Sequence, residues 1–226
     1  MLRIMTMIKK ETLAFVARLI ENNDRVWFQE NKAEYEVAKQ NIEDFANTII
    51  IELRKTDTTI PEEITAKKCV MRIYRDVRFS KDKSPYKNNF GIGISTRGKG
   101  GDGAGYYVHI QPNQSFVAGG YWMPQGEHLK AIRQEIDYNT QDLLDILEDK
   151  DFKSYFDSLD AQEKLKTVPK GYDANHPQIE ILKLKSFTVT HSFTNDELFH
   201  KDSAFAVADG LKKMYPLISF LNHAIL

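Results

Sequence analysis

The sequence predicts an α+β fold built on a largely antiparallel sheet, with helices toward both ends of the chain. Three observations predict it. Apolar residues recur every three to four positions near both termini; the middle turns to short aromatic and β-branched runs separated by Gly, Asn, Pro and Lys; strands and helices come in groups instead of alternating. With 226 residues, no internal repeat and no linker-like stretch, a single α+β domain over residues 1–226 is expected.

Between Lys9 and Asn22 the residues Leu13, Phe15, Val16, Leu19 and Ile20 trace one helical face, closed by Asn22-Asn23-Asp24. A longer helix is predicted from Lys32 to Arg54, with Tyr35, Ala38, Ile42, Phe45, Ile49 and Leu53 as its buried stripe. Trp27 and Phe28, between the two, are expected to anchor the helix pair on the sheet. A threonine-rich stretch and Pro61 end this helical opening. Four runs then read as strands of a meander: CVMRIYRDVRF (69–79), FGIGIST (90–96), AGYYVHIQP (104–112) and SFVAGGYW (115–122). Gly119-Gly120 suggests a bulge, and RGKGGDGAG (97–105) a long loop. Helical patterns return in EHLKAIRQEI, TQDLLDILED and FKSYFDSL, and IEILKLKSFTVTHSF (179–193) reads as a further strand region. Thr194 and Glu197 have capping-box spacing. A last helix is expected from Ser203 through Leu221, kinked or broken at Pro216.

Composition narrows the functional classes. The 31 Lys+Arg and 32 Asp+Glu leave a formal charge of -1, which argues against a protein that coats nucleic acid without specificity. Cys69 is the single cysteine, so an intrachain disulfide is excluded and a reducing compartment is expected. Beside Val70 and Met71 it reads as a core residue and not as a nucleophile. The first twenty residues carry charges inside their apolar stretch and lack a small-residue cleavage pattern, and no run approaches the ~18 apolar residues of a membrane span. Cytoplasmic residence without a membrane partner is the expectation.

Charge is nonetheless concentrated in one place. RIYRDVRFSKDKSPYK, residues 72–87, holds six Lys or Arg and two Asp in sixteen positions. Read as a strand, 69–79 puts Arg72, Tyr74, Asp76 and Arg78 on one face over roughly 20 Å, with Cys69, Met71, Ile73 and Val77 on the core face. Arg75 falls on the apolar side, so it must lie at an edge, pair with a carboxylate or mark a bulge. Tyr107, His109 and Gln111 likewise share one face of their strand, opposite Tyr106, Val108 and Ile110. If the apolar faces align, Tyr107 and His109 join the arginine strip.

Arginine suits an anion because its planar fork grips two oxygens and stays charged at neutral pH. Lys81, Lys83 and Lys87 extend the positive charge beyond the strip, and the irregular LKTVPKGYDANHP adds Lys170 and His176. The other chemistries find no motif. There is no G-x-x-x-x-G-K-[ST] and no G-x-S-x-G, GKGGDGAG is not a dinucleotide fingerprint, and His109, His176 and His191 lack metal-ligand spacing. The sequence therefore names no cofactor and no metal.

Taken together, NNDRVWFQENKAEYE, RIYRDVRFSKDKSPYKNNFG, GYYVHIQPNQSFVAGGYWMP and LKTVPKGYDANHPQIEILKLKSF resemble the conserved hypothetical proteins of bacteria and fungi catalogued as domain of unknown function 2461, over about residues 12–222. The resemblance implies an α+β domain and no established activity. Its blocks coincide with Arg72 to Lys87, His109 and Lys166 to His176.

The leading expectation is a site for a phosphate- or carboxylate-bearing small molecule or nucleotide. Arg72, Arg75, Arg78, Lys81, Lys83 and Lys87 would hold the anion, Tyr74 and Tyr107 would orient it with Lys170 and His176, and Asp76 or His109 would move a proton in hydrolysis or group transfer. Two rivals use the same strip: a non-enzymatic module for a nucleic-acid end or a protein, with Tyr107 and Trp122 as stacking surfaces, and a structural network in which carboxylates neutralise every arginine.

Overall fold

The structure, a computed structural model, describes residues 6–96 and 98–226. The reading of the extreme N-terminus (1–5) and of Arg97 in the glycine loop therefore lies outside the described residues. The first helix, α1 (Lys10–Glu21), buries Leu13, Phe15, Val16 and Leu19 as the spacing predicts, but leaves Ile20 exposed. A helix not anticipated, α2 (Arg25–Glu30), follows because the Asp24 carboxylate accepts from the backbone N–H of Val26 and Trp27 and caps it. The long helix is α3 (Lys32–Leu53).

After the single turn α4 (Ala66–Cys69), the sheet forms from β1 (Phe90–Ile94), β2 (Gly105–Ile110), β3 (Ser115–Tyr121) and, much later, β4 (Phe187–Phe193). It is antiparallel throughout, in the order β1-β2-β3-β4. Between β3 and β4 lie α5 (Gly126–Tyr138), α6 (Thr140–Glu148), α7 (Lys150–Lys153) and α8 (Ile179–Leu182); α9 (Asn195–Phe199), α10 (Ser203–Lys213) and α11 (Tyr215–His223) close the chain. The Thr194–Glu197 capping box is present. Pro216 does break the last helix, occupying the first turn of α11 where its missing N–H costs nothing.

One sheet face carries Ile92, Val108, Ile110, Val117 and Val189, all buried, and packs on α3, α10 and α11. The other carries Gly91, Gly93, Tyr107, His109, Phe116 and Ala118, paired across the strands as Gly91 with His109, Gly93 with Tyr107, His109 with Phe116 and Tyr107 with Ala118. Alternation thus assigns these faces correctly.

Residues 69–79 are not a strand. Cys69 ends α4, and only Val70 and Tyr74 make isolated bridges, to Ile92 and Tyr86. The reason is local competition for the backbone. Asp76 accepts from the N–H of Arg78, and Asp82 from the N–H of Ser84, so these carboxylates bend the chain into turns that a ladder cannot use. What forms is a loose hairpin: Met71 N–H donates to Gly91 O, Lys87 N–H to Ile73 O and Arg75 N–H to Pro85 O, with 76–84 as its tip. Burial still follows the expected order at Arg72, Tyr74, Asp76 and Arg78, all exposed. Met71 and Val77 depart from it, both half-buried, Met71 against Gly91 and Gly93 on the outer sheet face.

Three further readings change: the helix expected over FKSYFDSL is confined to α7, which ends at Lys153. Ile179–Leu182 is helical, so the last strand starts only at Phe187. Gly119-Gly120 makes no bulge: β3 and β4 stay in continuous register through it. Gly120 is needed because its φ is 121° and a Cβ there would stand 2.0 Å from Phe187 O.

Candidate functional site

The site is built on the residue before Lys87. Asn23, at the end of α1, donates from Nδ2 to Tyr86 O and accepts at Oδ1 from Tyr86 N–H, both at 3.0 Å. A side-chain amide thus takes the place of a neighbouring strand. Phe28 of α2 stacks on the Tyr86 ring with centroids 4.0 Å apart, and Phe28 and Phe90 each pack against Tyr35 of α3. The aromatic pair expected to anchor the helices does so through Phe28, which is buried.

This clamp sets one wall of an open cleft of about 580 Å³, lined by Ile20, Asn23, Arg75, Asp76, Asp82, Ser84, Tyr86, Lys87, Asn88 and Asn89. Several of its charges are neutralised locally. Arg75 pairs with Asp82, fulfilling the requirement set by its inward position. Asp82 also accepts from the hydroxyl and N–H of Ser84, and the Ser84 bonds followed by Arg75 hold its carboxyl far below the usual range. Arg78 grips Asp76 with Nε and Nη2 at 3.0 and 2.7 Å, which lowers the Asp76 pKa. Lys83 donates to Val77 O at 3.0 Å.

Other cations make no direct ion pair among the described residues, although the Arg72 charge also acts on Asp76. Arg72 is exposed and, like Lys87, has no hydrogen-bond or ion-pair partner among the described residues. Lys99 donates to Val70 O at 2.5 Å and its backbone N–H to Lys68 O, which folds the glycine loop back over β1 beside Gly93. Burial first, then the charges of Arg72 and Lys99, pull the Lys87 pKa down. Lys81 is exposed and without a partner among the described residues, and Tyr74 is half-exposed beside Tyr86.

Asn89 links this cleft to the outer sheet face, where its amide lies close enough to the Tyr107 hydroxyl to oppose the rise in pKa that burial causes. From there a chain of bonds runs along β2: Tyr107 Oη to His109 Nδ1 at 3.0 Å, His109 Nε2 to Gln111 Oε1 at 2.9 Å, and Gln111 Nε2 to Gln114 Oε1 at 3.1 Å. The His109 ring stacks on Phe116 at 4.6 Å. Gly91 makes room, since a Cβ there would be 2.9 Å from Tyr107 Oη. Burial lowers the His109 pKa and outweighs the bond to Gln111, which favours the neutral ring, with Nε2–H donating to Gln111 Oε1 and Nδ1 accepting the Tyr107 hydroxyl.

Lys170 and His176 are not brought to this place. No residue of their loop lines the cleft. His176 Nε2 donates to Asp137 of α5 at 2.9 Å and Nδ1 accepts from Gln178 N–H, so its role is to fix the loop; Lys170 is exposed on the same loop. Trp122 is also exposed. Asn23, Asn89 and Lys99 are the residues that sequence reasoning overlooked. Asn23 read only as a helix end and Lys99 only as part of a loop, because neither position carries a periodic signal. Among the described residues, no three His, Cys, Asp or Glu side chains gather as metal ligands would, and no helix is long and apolar enough to cross a membrane.

A family model described as a conserved hypothetical protein, DUF2461, matches residues 11–220. The chain belongs to the DUF2461 family. Compared with the curated proteins and with the solved structures, it has no match. What this DUF2461 protein offers chemically is therefore argued from its own groups: fixed positive charge at Arg72, Lys87 and Lys99, amide donors at Asn88 and Asn89, and a neutral histidine one hydroxyl away.

Proposed function

We propose that the protein binds a small anion-bearing ligand, a phosphate or carboxylate compound including nucleotides, at the cleft between α1 and the 70–92 hairpin. One observation carries this reading: Lys87 lines the cleft beside the amides of Asn88 and Asn89 with no ion-pair partner among the described residues and with Arg72 and Lys99 as its charged neighbours, while Arg75 and Arg78 are each paired. Holding like charges together costs stability unless something anionic repays it. Lys87 meets the anion from the cleft wall, Arg72 and Lys99 add positive charge beside it, and Asn89 orients the ligand toward Tyr107. If the bound ligand is turned over, by hydrolysis or transfer, His109 is the proton carrier supported by the arrangement, because Asp76 is committed to Arg78. The buried lone thiol of Cys69, raised to about 11 by desolvation, fits residence in the cytoplasm.

The test is thermal unfolding with inorganic phosphate, sulfate and a panel of phosphorylated and carboxylated metabolites, since a ligand selective for the folded state raises Tm. A shift that is lost in Arg72→Ala and kept in Arg78→Ala is the expected result. No shift with any compound, or equal shifts in both variants, overturns the reading.

A second reading is favoured by Phe79, which is 96% exposed at the hairpin tip with Arg78 over its ring at 5.9 Å. An exposed aromatic among cations is a stacking platform for a nucleic-acid end. Salt-dependent oligonucleotide binding lost in Phe79→Ala would replace the first reading with this one.

A further inference from the structure

One aromatic ring on the outer side of the sheet keeps a face uncovered. Across the strands, His109 of β2, Phe116 of β3 and Ser192 of β4 stand in a single row. The His109 and Phe116 rings are nearly parallel, at 12°, with centroids 4.6 Å apart, which is about one strand spacing. Phe116 therefore turns one face to His109 and the opposite face toward β4. Ser192 is exposed and too small to cover that face, and among the described residues the only rings meeting Phe116 are Tyr107 and His109, both on the β2 side. The stack stops where one more planar ring would fit.

What borders this berth selects its occupant. Two residues along β4, about 7 Å away, the Thr190 hydroxyl donates to Asp160 Oδ2 at 2.9 Å, and the Thr188 hydroxyl donates to the same oxygen at 2.8 Å. The Asp160 N–H donates to Thr188 O at 2.7 Å, so the carboxylate is fixed beside the strand with Oδ1 unused among the described residues. A ring seated on Phe116 thus meets a fixed acceptor at its edge, which an exocyclic amino group of a nucleobase satisfies. The opposite margin of the face is positive. Met71 N–H donates to Gly91 O, which lays the exposed Arg72 along the edge of β1. Lys99, also exposed, has its Cα 3.4 Å from the place a Gly93 Cβ would take, and its ammonium rests on the Val70 carbonyl and not on an acid. From β1 to β4 is three strand spacings, about 14 Å. A lone base on one open ring is held only at about millimolar strength, whereas a strand crossing the sheet brings its phosphates to these cations.

We propose that the outer sheet face binds single-stranded nucleic acid, with one amino-bearing base, cytosine or adenine, seated on the free face of Phe116 above Ser192. Its amino group donates to Asp160, and the neighbouring phosphates run toward Lys99 and Arg72. The phosphate contacts rest on the anion reading above, whose cations they share; the berth itself rests on the His109–Phe116 stack and lies on a different surface from the Phe79 hairpin tip.

The test is fluorescence anisotropy of short labelled oligo(dC) and oligo(dT) titrated with the full chain at neutral pH over a range of salt. Oligo(dC) is expected to bind about tenfold tighter than oligo(dT), which lacks the amino group. Ser192→Phe, at an exposed position, fills the berth with a ring of the chain's own and should weaken oligo(dC) binding about tenfold. Ser192→Ala leaves the berth open and should bind as the wild type does. Asp160→Asn should erase the preference for oligo(dC), and Arg72→Ala should weaken both strands alike and lower the salt slope by about one. Undiminished oligo(dC) binding by Ser192→Phe overturns the proposal, as does deoxycytidine monophosphate binding as tightly as the strand. Binding that survives Ser192→Phe and is lost in Phe79→Ala belongs to the hairpin tip and overturns it too. Thermal unfolding with sulfate separates the berth from the anion site. A sulfate shift without oligonucleotide binding refutes the berth and keeps the anion site; oligonucleotide binding that depends on Ser192, without a sulfate shift, does the reverse; absence of both refutes both.

Discussion

His109 is the residue whose surroundings make the clearest pH prediction. Burial holds its folded pKa below the ordinary value, so the unfolded chain takes up a proton before the folded one does. The stability it contributes is complete above the unfolded pKa of ~6.5 and is lost as pH falls through the lowered folded value. Between pH 7 and 5 the Tm of the wild-type protein should therefore fall further than that of His109→Gln. Parallel decreases in the two proteins would show that the ring titrates alike in the folded and unfolded states. The carboxylates with depressed values, Glu52, Asp76, Asp82, Glu180 and Glu197, lose their contributions at lower pH and do not blur this window. The anion contacts divide in the same local manner. Arg72 and Arg78 look equivalent in sequence, yet only Arg78 makes an ion pair with Asp76, while Arg72 acts on it from farther off.

Among the elements, the β3–β4 pair shows how one missing side chain governs packing. Gly120→Ala places a methyl against the Phe187 carbonyl, on a backbone at φ 121° that L residues rarely adopt. It should cost more than ~3 kcal/mol and lower Tm by several degrees. A variant that melts with the wild type would mean the strands can shift apart freely there. The elements were readable from sequence wherever a period was sustained: α1, α3, β2 and the capped start of α9 follow their patterns closely. Residues 69–79 misled because their alternation is real in exposure but not in hydrogen bonding. Two aspartates at turn-forming offsets outcompete the ladder, and alternation of residue type does not reveal that. The site was half legible for a related reason. The basic segment and the face shared by Tyr107 and His109 follow from chain-local spacing, whereas Asn23 reaches the cleft, and Lys99 the Val70 carbonyl, only through tertiary contacts.

Across the whole molecule, buried apolar side chains form one continuous cluster joining the helices to the inner sheet face. The outer face near β1 is left to glycines and polar groups, so the fold supplies a rigid floor and leaves the cleft wall to the hairpin. That wall has fewer backbone bonds than the sheet, and it should open more readily. Hydrogen exchange is expected to show Tyr86 and Lys87 amides protected less than those of β2 and β3, with Asn23→Ala speeding their exchange and leaving β2 unchanged. Equal protection in the variant would mean the clamp contributes nothing.

The Asn23 clamp joins positions 63 residues apart in the chain. Such a link closes a long loop, and closing it late in folding carries an entropic cost that any molecule lodged between α1 and the hairpin would share. An occupant of the cleft therefore acts as a removable staple between the helical N-terminal third and the sheet. Its arrival would be felt first as slower unfolding, even before any chemistry takes place.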